Sequence, residues 1–288
     1  MTEMRKLADA GVFPIGLGAM PMSLEGRPPE EQSIRTIHAA LDAGVNLIDT
    51  ADAYCIDAGD VGHNERLIAK ALRDRRDGVL VATKGGHTRT ADGAWELDGR
   101  PEHLKRACEA SLRALATDRI DLYQYHRPDP DVPFAESVGA LKELQDEGKV
   151  RWIGLSNVDT DQIEEALGIA QIAAVQNQLS LEYPFPIARG EVALCEQRGI
   201  AFLPWSPLGG IPKAAEAAGE HHAVREVADA HGVSPQRVAL AWLLSLSPVV
   251  IPIPGASRPE SIRDSAQAAD LELSHEELHA VGRIAQAA

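Results

Sequence analysis

Short apolar runs of strand length alternate with segments of helical periodicity along almost the whole chain. Several helical segments are followed by a glycine, as at Gly44, Gly148 and Gly199, where a left-handed cap is expected. Because successive parallel strands need a crossover connection, repeated strand and helix units predict a parallel sheet. About eight such units predict an α/β fold, a (β/α)8 TIM barrel with eight parallel strands.

The expected bounds of these elements follow from the apolar runs of strand length and from the segments of helical periodicity. The predicted strands are Val12–Leu17, Val45–Ile48, Val79–Ala82, Ile120–Tyr125, Val150–Leu155, Ala173–Gln176, Ile200–Leu203 and Val249–Ile253. The predicted helices include Gln32–Ala43, Asn64–Leu72, Pro101–Leu115, Phe134–Glu147, Asp161–Ala170 and Ile187–Arg198. Pro101, Pro235 and Pro259 fit first helical turns. Ser274 with Glu277 predicts a capping box that opens a last helix.

Length and charge limit the organisation and the partners of the chain. Its 288 residues fit one barrel and contain no linker-like stretch, so residues 1–288 are predicted to form a single domain. The net charge of −15 opposes binding to nucleic acid or to anionic lipid. We expect a small-molecule substrate as the partner, and a monomer or a weak homo-oligomer.

The location of the protein and its metal chemistry are also constrained. No apolar run approaches the roughly 18 residues of a membrane helix, and the first ten residues lack the pattern of a signal peptide, so we expect a cytoplasmic protein. Cys55, Cys108 and Cys195 form no CxxC pair, which predicts reduced thiols. His221 and His222 are adjacent without a completing carboxylate pattern, and no metal site is expected.

A glycine pair near the N-terminus raises the alternative of an open, doubly wound sheet. Gly16 and Gly18 resemble the start of a dinucleotide-binding loop. That loop requires a third glycine and an immediate helix, whereas Met20 and Pro21 follow here and the next helix is predicted about ten residues later. The barrel is therefore the favoured fold.

Ionisable side chains follow three of the predicted strands, at the end where a barrel collects its catalytic residues. They are Asp49, Lys84 and His126, and Tyr54 lies in the loop five residues beyond Asp49. An ammonium stabilises a phenolate, so Lys84 is expected to lower the pKa of Tyr54, while Asp49 holds Lys84 charged. The His126 imidazole is suited to a hydrogen bond with a substrate oxygen.

These four residues, in their order and spacing, resemble the catalytic tetrad of the aldo-keto reductases. The resemblance covers essentially the whole chain and includes the stretches HNERLIAKAL, SLRALATDRIDLYQYH, GKVRWIGLSN and PWSPLGG. It implies an oxidoreductase that transfers hydride between NADP(H) and a small aldehyde, ketone or alcohol, with Tyr54 as the general acid or base. Binding of NAD(H) is also compatible with the resemblance.

The same resemblance implies the cofactor site. Ser156, Asn157 and Gln176 correspond to residues that bind the nicotinamide carboxamide, and Trp205 takes the place of the aromatic residue that stacks on the ring. The residues that resemble the pyrophosphate loop are Ser206, Leu208 and Gly209. The residues that resemble the adenosine-binding segment are Gly255, Ser257, Arg258 and Ser265. Gly255 and Ser261 replace the lysine and second arginine of some members, so Arg258 is the one clear cation for a 2′-phosphate. Trp95 is a candidate wall of the substrate cleft.

Two other functions stay open at this point. Lys84 at a strand end also fits a Schiff-base nucleophile of an aldolase, which predicts borohydride trapping and no nicotinamide binding. A cofactor-sensing regulatory subunit would bind NADP(H) tightly and turn over slowly. The physiological substrate and the direction of the reaction do not follow from the sequence.

Overall fold

The computed structural model describes residues 2–210 and 221–287, whose parallel strands form one curled sheet surrounded by helices. The bounds of its seven strands are β3 Leu17–Gly18, β4 Leu47–Asp49, β5 Leu80–Gly85, β8 Ile120–Tyr125, β9 Val150–Ser156, β10 Ile172–Gln176 and β11 Ala201–Phe202. They lie in the order β11-β10-β9-β8-β5-β4-β3, each parallel to its neighbours.

Residues 249–256 close the sheet into a barrel between β11 and β3. On one side Ile251 N donates to Phe202 O at 2.8 Å, and on the other Gly18 N donates to Pro254 O at 3.0 Å. The predicted strand Val249–Ile253 is therefore only partly right, because this segment pairs through isolated bridges. Pro252 and Pro254 have no N–H to donate, which prevents a continuous ladder. The (β/α)8 architecture itself is confirmed.

The first predicted strand, Val12–Leu17, is wrong in its bounds. Val12 ends β2 (Ala10–Val12), which pairs antiparallel with β1 (Arg5–Leu7), and the barrel strand begins only at Leu17, beyond Pro14. Leu7 and Val12 are fully buried with the side chains inside the barrel. Because Phe13 N bonds the Asn46 side chain, which precedes β4, this hairpin closes the N-terminal end of the barrel.

Helices cover the outside of the sheet. Their bounds are α1 Glu30–Asp42, α2 His63–Ala71, α3 Pro101–Leu115, α4 Phe134–Asp146, α5 Thr160–Leu167, α6 Phe185–Ala188, α7 Glu191–Arg198, α8 His222–His231, α9 Pro235–Ser245, α10 Pro259–Ala266 and α11 His275–Ala287. The single predicted helix Ile187–Arg198 is two helices, because Gly190 between them has a φ of +86° that an α-helix does not accept.

The predicted helix boundaries are confirmed where they depend on capping chemistry. Pro101, Pro235 and Pro259 are each the first residue of a helix. Ser274 N donates to Glu277 Oε2 at 2.7 Å and Glu277 N donates to Ser274 Oγ at 3.3 Å, which is the predicted capping box. None of the helices in the described part of the chain is long and apolar enough to cross a membrane.

A second hairpin, which the sequence did not indicate, extends from the end of β5. Its strands are β6 His87–Arg89 and β7 Trp95–Leu97, paired antiparallel from His87 opposite Leu97 to Arg89 opposite Trp95. Arg89 lies over the Trp95 ring, 4.1 Å from its centroid. The hairpin carries Trp95 to the C-terminal end of the barrel.

Candidate active site

A cavity of about 460 Å³ opens at the C-terminal ends of the barrel strands. Side chains from the loops after β3, β4, β5, β8, β9, β10 and β11 converge on it, as they do at the catalytic end of (β/α)8 enzymes. Asp49, Tyr54 and His126 line this cavity, and Lys84 lies directly beneath Tyr54. The structure thus brings together the four residues that we singled out as the candidate tetrad.

Lys84 is fully buried, and each of its three N–H bonds has an acceptor. The ammonium donates to Asp49 Oδ2 at 2.7 Å, to Thr50 O at 2.8 Å and to Tyr54 Oη at 3.0 Å. Because the Tyr54 oxygen accepts a hydrogen bond from Lys84, its own proton is left to point into the cavity. This arrangement presents a phenolic O–H donor to a ligand.

The protonation states of this pair follow from burial and from their neighbours. Burial alone lowers the pKa of Lys84, but Asp49 and Tyr54 raise it above the ordinary value of 10.5, so the ammonium is charged. Burial raises the pKa of Tyr54 above its ordinary value of 10, and this effect outweighs the lowering by Lys84. The net shift of Tyr54 is opposite to the expected one. The phenol is protonated at neutral pH.

His126 lies beside Tyr54 with their ring centroids 5.8 Å apart. Burial, and then the positive charges of Lys84 and neighbouring groups, hold its pKa well below 6.5. The imidazole is therefore neutral at physiological pH. Its Nδ1 is buried without a hydrogen-bond partner among the described residues, so the interior does not fix the ring's tautomer.

Gln124 is a part of this site that sequence reasoning missed. Its Nε2 donates to Asp49 Oδ1 at 3.2 Å, and Gln176 Nε2 donates to the same oxygen at 2.7 Å. A Cβ on Gly154 of the neighbouring strand would lie only 2.8 Å from Gln124 Cγ, so glycine makes room for this side chain. Two amides and one ammonium thus fix the Asp49 carboxylate. The signal was a polar residue inside an apolar strand, two residues before His126.

The loop that carries Tyr54 is held by the HNERLIAKAL stretch of α2. Asn64 accepts a hydrogen bond from Thr50 Oγ1 at 2.6 Å and donates to Ala19 O at 2.9 Å. Glu65 accepts a hydrogen bond from Thr83 Oγ1 at 2.6 Å, directly before Lys84. These buried contacts connect β3, β4 and β5 around the phenol and explain why polar residues occupy the start of α2.

One end of the predicted cofactor site borders the same cavity. Ser156, Asn157, Gln176 and Trp205 all line it. Asn157 adopts a left-handed backbone with φ +59° and donates through its side chain to His126 O at 3.0 Å. The Oε1 atom of Gln176 receives no hydrogen bond from the described residues, which leaves an acceptor for an amide. Trp205 Nε1 is buried and lacks a partner in the same part of the chain.

The predicted phosphate and adenosine segments continue from this end of the cavity. Ser206, Leu208 and Gly255 line it, whereas Gly209, Ser257, Arg258 and Ser265 do not. Ser206 and Gly209 both have left-handed backbones, with φ +48° and +85°, in a turn closed by a hydrogen bond between Gly209 N and Ser206 O. Arg258 is exposed immediately before α10.

A further part of the cavity wall comes from the hairpin of β6 and β7 and from the residues after β8. His87 packs edge-on against Trp95, with ring centroids 5.4 Å apart, and against His126, with centroids 4.4 Å apart. Trp95, the candidate wall of the substrate cleft, lines this cavity, and the residue is 43% exposed. His87 and Arg127 are further lining residues that sequence reasoning did not single out.

Across the described ranges, no group of three or more histidine, cysteine or acidic side chains has the arrangement of a metal site. His222 is exposed, and His221 is partly buried with its Nε2 3.3 Å from Glu182. The three cysteine thiols are buried and unpaired.

Comparisons with known proteins agree with this geometry. The model of the Aldo/keto reductase family matches residues 14–286. An uncharacterized oxidoreductase of Schizosaccharomyces pombe is 35% identical over 279 residues, which cover 94% of this chain and 86% of the relative. A glycerol dehydrogenase from Gluconobacter oxydans has a similar structure, with a TM-score of 0.84, 27% identity and coverage of 98% of this chain and 95% of that one.

A third comparison is with a structure that contains a cofactor. An aldo-keto reductase from Klebsiella pneumoniae, solved in complex with NADPH, has a TM-score of 0.82 at 28% identity and covers 98% of this chain and 95% of its own. The family model alone spans nearly the whole sequence, and the barrel and the convergence of strand ends agree with it. The chain therefore belongs to the aldo/keto reductase family of oxidoreductases.

Proposed function

We propose that this protein is an NADP(H)-dependent reductase of small aldehydes and ketones in which Tyr54 donates the proton to the carbonyl oxygen. The observation that carries the proposal is the contact between Lys84 Nζ and Tyr54 Oη at 3.0 Å, with Asp49 held 2.7 Å from the same ammonium. This buried chain leaves a neutral phenol with a free proton at the cavity. A general acid of this kind is what carbonyl reduction requires.

The cavity fits a nicotinamide cofactor. Asn157, Gln176 and Ser156 offer side-chain hydrogen-bonding groups for a carboxamide, and Trp205 offers an aromatic face. The turn from Ser206 to Gly209 has the left-handed residues with which backbone N–H groups can face a phosphate. A bound reduced nicotinamide would supply the hydride. The NADPH complex of the related Klebsiella pneumoniae protein supports NADP(H) as the cofactor.

The residues of the chain supply the remaining parts of the reaction. His126, neutral at physiological pH, orients the carbonyl oxygen through a ring N–H hydrogen bond. Tyr54 would donate its proton to the carbonyl oxygen, which becomes the hydroxyl oxygen of the product alcohol. Lys84 stabilises the phenolate that remains, and Asp49 keeps Lys84 in place. The reverse sequence oxidises an alcohol.

A Schiff-base role for Lys84 is disfavoured by the same contacts. An imine requires a neutral, accessible amine, whereas Lys84 is fully buried, charged, and committed to three acceptors. The phenol lies between the ammonium and the cavity. The reductase hypothesis is compatible with the observed contacts and protonation states of all four residues.

Absorbance at 340 nm tests the proposal. Purified protein should oxidise NADPH in the presence of neutral aldehydes and ketones such as glyceraldehyde and 4-nitrobenzaldehyde, and NADH more weakly. Lys84→Met should lower the rate by about 100-fold or more, because it removes the charge that stabilises the phenolate. Tight NADPH binding without turnover on any carbonyl would contradict the reductase and would favour the regulatory subunit.

A further inference from the structure

Arg127 places an unpaired positive charge at the cavity. Of the described residues that line it, Arg127 is the only arginine or lysine, and Asp49 is the only carboxylate. Asp49 is fully engaged by Lys84, Gln124 and Gln176. The guanidinium of Arg127 forms neither an ion pair nor a hydrogen bond with any residue of ranges 2–210 and 221–287. The cavity wall therefore has an uncompensated cation.

The nearest carboxylate along the chain does not neutralise this arginine. Asp129 instead accepts hydrogen bonds from the backbone N–H groups of Gly99, at 2.8 Å, and Asp131, at 3.0 Å. Seven other arginines of the chain are neutralised by an ion pair: Arg27, Arg75, Arg76, Arg100, Arg151, Arg198 and Arg237. What distinguishes Arg127 from the other arginines without an ion pair is its place at the cavity, where it opposes the net charge of −15 locally.

The position of Arg127 is on the substrate side of the cavity. It directly follows His126 at the end of β8. The candidate cofactor residues instead lie at or after the ends of β9, β10 and β11, or within residues 255–265. Its neighbours at the wall are His87 and His126, both with pKa values lowered first by burial and then in part by this arginine. Both rings are neutral, so Arg127 is the local charge that a substrate meets.

We propose that Arg127 selects carbonyl substrates that carry an anionic group, a carboxylate or a phosphate, on the side of the molecule away from the reacting carbonyl. This inference rests on the proposed reductase function and adds the substrate class. A guanidinium binds both anions through paired N–H donors. With the carbonyl oxygen at Tyr54 and His126, the anionic group lies toward Arg127, and His87 and Trp95 contact the body of the substrate.

Two substrate pairs test the proposal without relying on absolute rates. Each pair contains an anionic and a neutral aldehyde of similar size: 4-carboxybenzaldehyde with 4-nitrobenzaldehyde, and glyceraldehyde 3-phosphate with glyceraldehyde. The measured quantity is the ratio of kcat/KM within a pair at saturating NADPH. Because the intrinsic reactivity of each aldehyde cancels between enzyme variants, a change in this ratio reports the charge contact alone.

Arg127→Gln should lower the anionic-to-neutral ratio by about fivefold to tenfold, chiefly through KM, which is modest for a charge-assisted contact because the arginine is exposed. Arg127→Lys should retain part of the preference. Arg73→Gln is the matched control. Arg73 is also exposed but lies outside the cavity, so this substitution removes the same charge without changing the cavity wall. It should leave the ratio unchanged. The carboxylate and phosphate pairs show which anion is preferred.

Several outcomes would overturn the proposal. An unchanged ratio in Arg127→Gln would show that the arginine does not select the substrate. A raised KM for NADPH with both ratios intact would assign Arg127 to the cofactor. If none of the four aldehydes is reduced, the reductase function fails separately. Binding of benzoate and benzamide, followed by tryptophan fluorescence, then tests the arginine without turnover, and equal affinities in the wild-type protein would contradict it.

Discussion

The protonation states of Tyr54, Lys84 and His126 decide what the cavity can do. Burying a charged group without a partner costs free energy. Here the buried ammonium of Lys84 is paired, and the phenol of Tyr54 and the imidazole of His126 are neutral. Lys84 provides the clearest case, because its three donors meet three acceptors within 3.0 Å. A single proton, that of Tyr54, is left for chemistry.

These protonation states predict a broad pH plateau for reduction. The Tyr54 pKa is raised above 10, so the proton donor is lost only as the pH rises beyond that value. The His126 pKa lies below 6.5, so the ring becomes charged only as the pH falls below that value. We expect kcat/KM for glyceraldehyde with NADPH to be flat between about pH 7 and pH 9. A decline with a midpoint near pH 8 would contradict the assigned state of Tyr54.

At the scale of elements, the loop between β4 and α2 carries Tyr54 and also a buried carboxyl group that the proposed reaction does not use. Asp52, within this loop, is buried, and its Oδ1 accepts a hydrogen bond from Ala53 N at 2.6 Å. Burial first, and then the nearby Glu65 carboxylate, raise the Asp52 pKa well above 3.8. A raised pKa for an acid means that its ionised form destabilises the folded state at neutral and alkaline pH.

Asp52→Asn should therefore stabilise the protein at pH 8 by on the order of 1 kcal/mol, equivalent to a rise in Tm of about 2 °C. The asparagine oxygen can keep the bond to Ala53 N. The gain should disappear below about pH 4, where aspartate is neutral in both the folded and the unfolded state. Asp74→Asn, at an exposed position, is the control and should change little. A lower Tm for Asp52→Asn at pH 8 would contradict this account.

The same elements show where sequence reasoning succeeds. Ile120–Tyr125 and Pro101–Leu115 are predicted with their observed bounds, because periodicity and capping residues are local signals. The grouping of Asp49, Tyr54, Lys84 and His126 could be predicted because parallel strands bring their ends, and the loops that follow them, to one end of the barrel. The Tyr54 pKa could not be predicted, since its sign depends on how completely the loop buries the phenol.

Other features depend on contacts between distant segments. Gln124 looked like an interruption of an apolar strand, and only the position of Asp49 on a neighbouring part of the barrel explains it. The hairpin of β1 and β2 consists of three-residue strands, too short for an alternating pattern to be read. Residues 249–256 close the barrel although they include Pro252 and Pro254. The carbonyl groups of these two prolines still accept hydrogen bonds from the neighbouring segment.

At the scale of the whole molecule, the net charge of −15 opposes the approach of a nucleotide cofactor or an anionic substrate. Local cations have to compensate. Arg127 at the cavity and Arg258 before α10 are both exposed, and neither is paired with another residue of the described ranges. We propose that Arg127 binds an anionic group of the substrate and that Arg258 binds the 2′-phosphate of NADPH.

Arg258→Ala should raise KM for NADPH by up to about tenfold and leave KM for NADH nearly unchanged, because only NADPH carries the 2′-phosphate. Arg263→Ala is the matched control, since Arg263 is an exposed arginine on the same helix, α10. Steady-state kinetics with both cofactors provide the comparison. An equal effect on the two cofactors, or none on NADPH, would remove Arg258 from the cofactor site.

Reduction of a neutral aldehyde by Tyr54→Phe tests the central claim most directly. The substitution keeps the ring beside Lys84 and His126 and removes only the hydroxyl that donates the proton. We predict a loss of kcat of about 100-fold or more at pH 7, with NADPH affinity by fluorescence titration within about twofold of the wild-type value. Turnover by Tyr54→Phe at a rate close to that of the wild-type protein would contradict the assignment of Tyr54 as the proton donor.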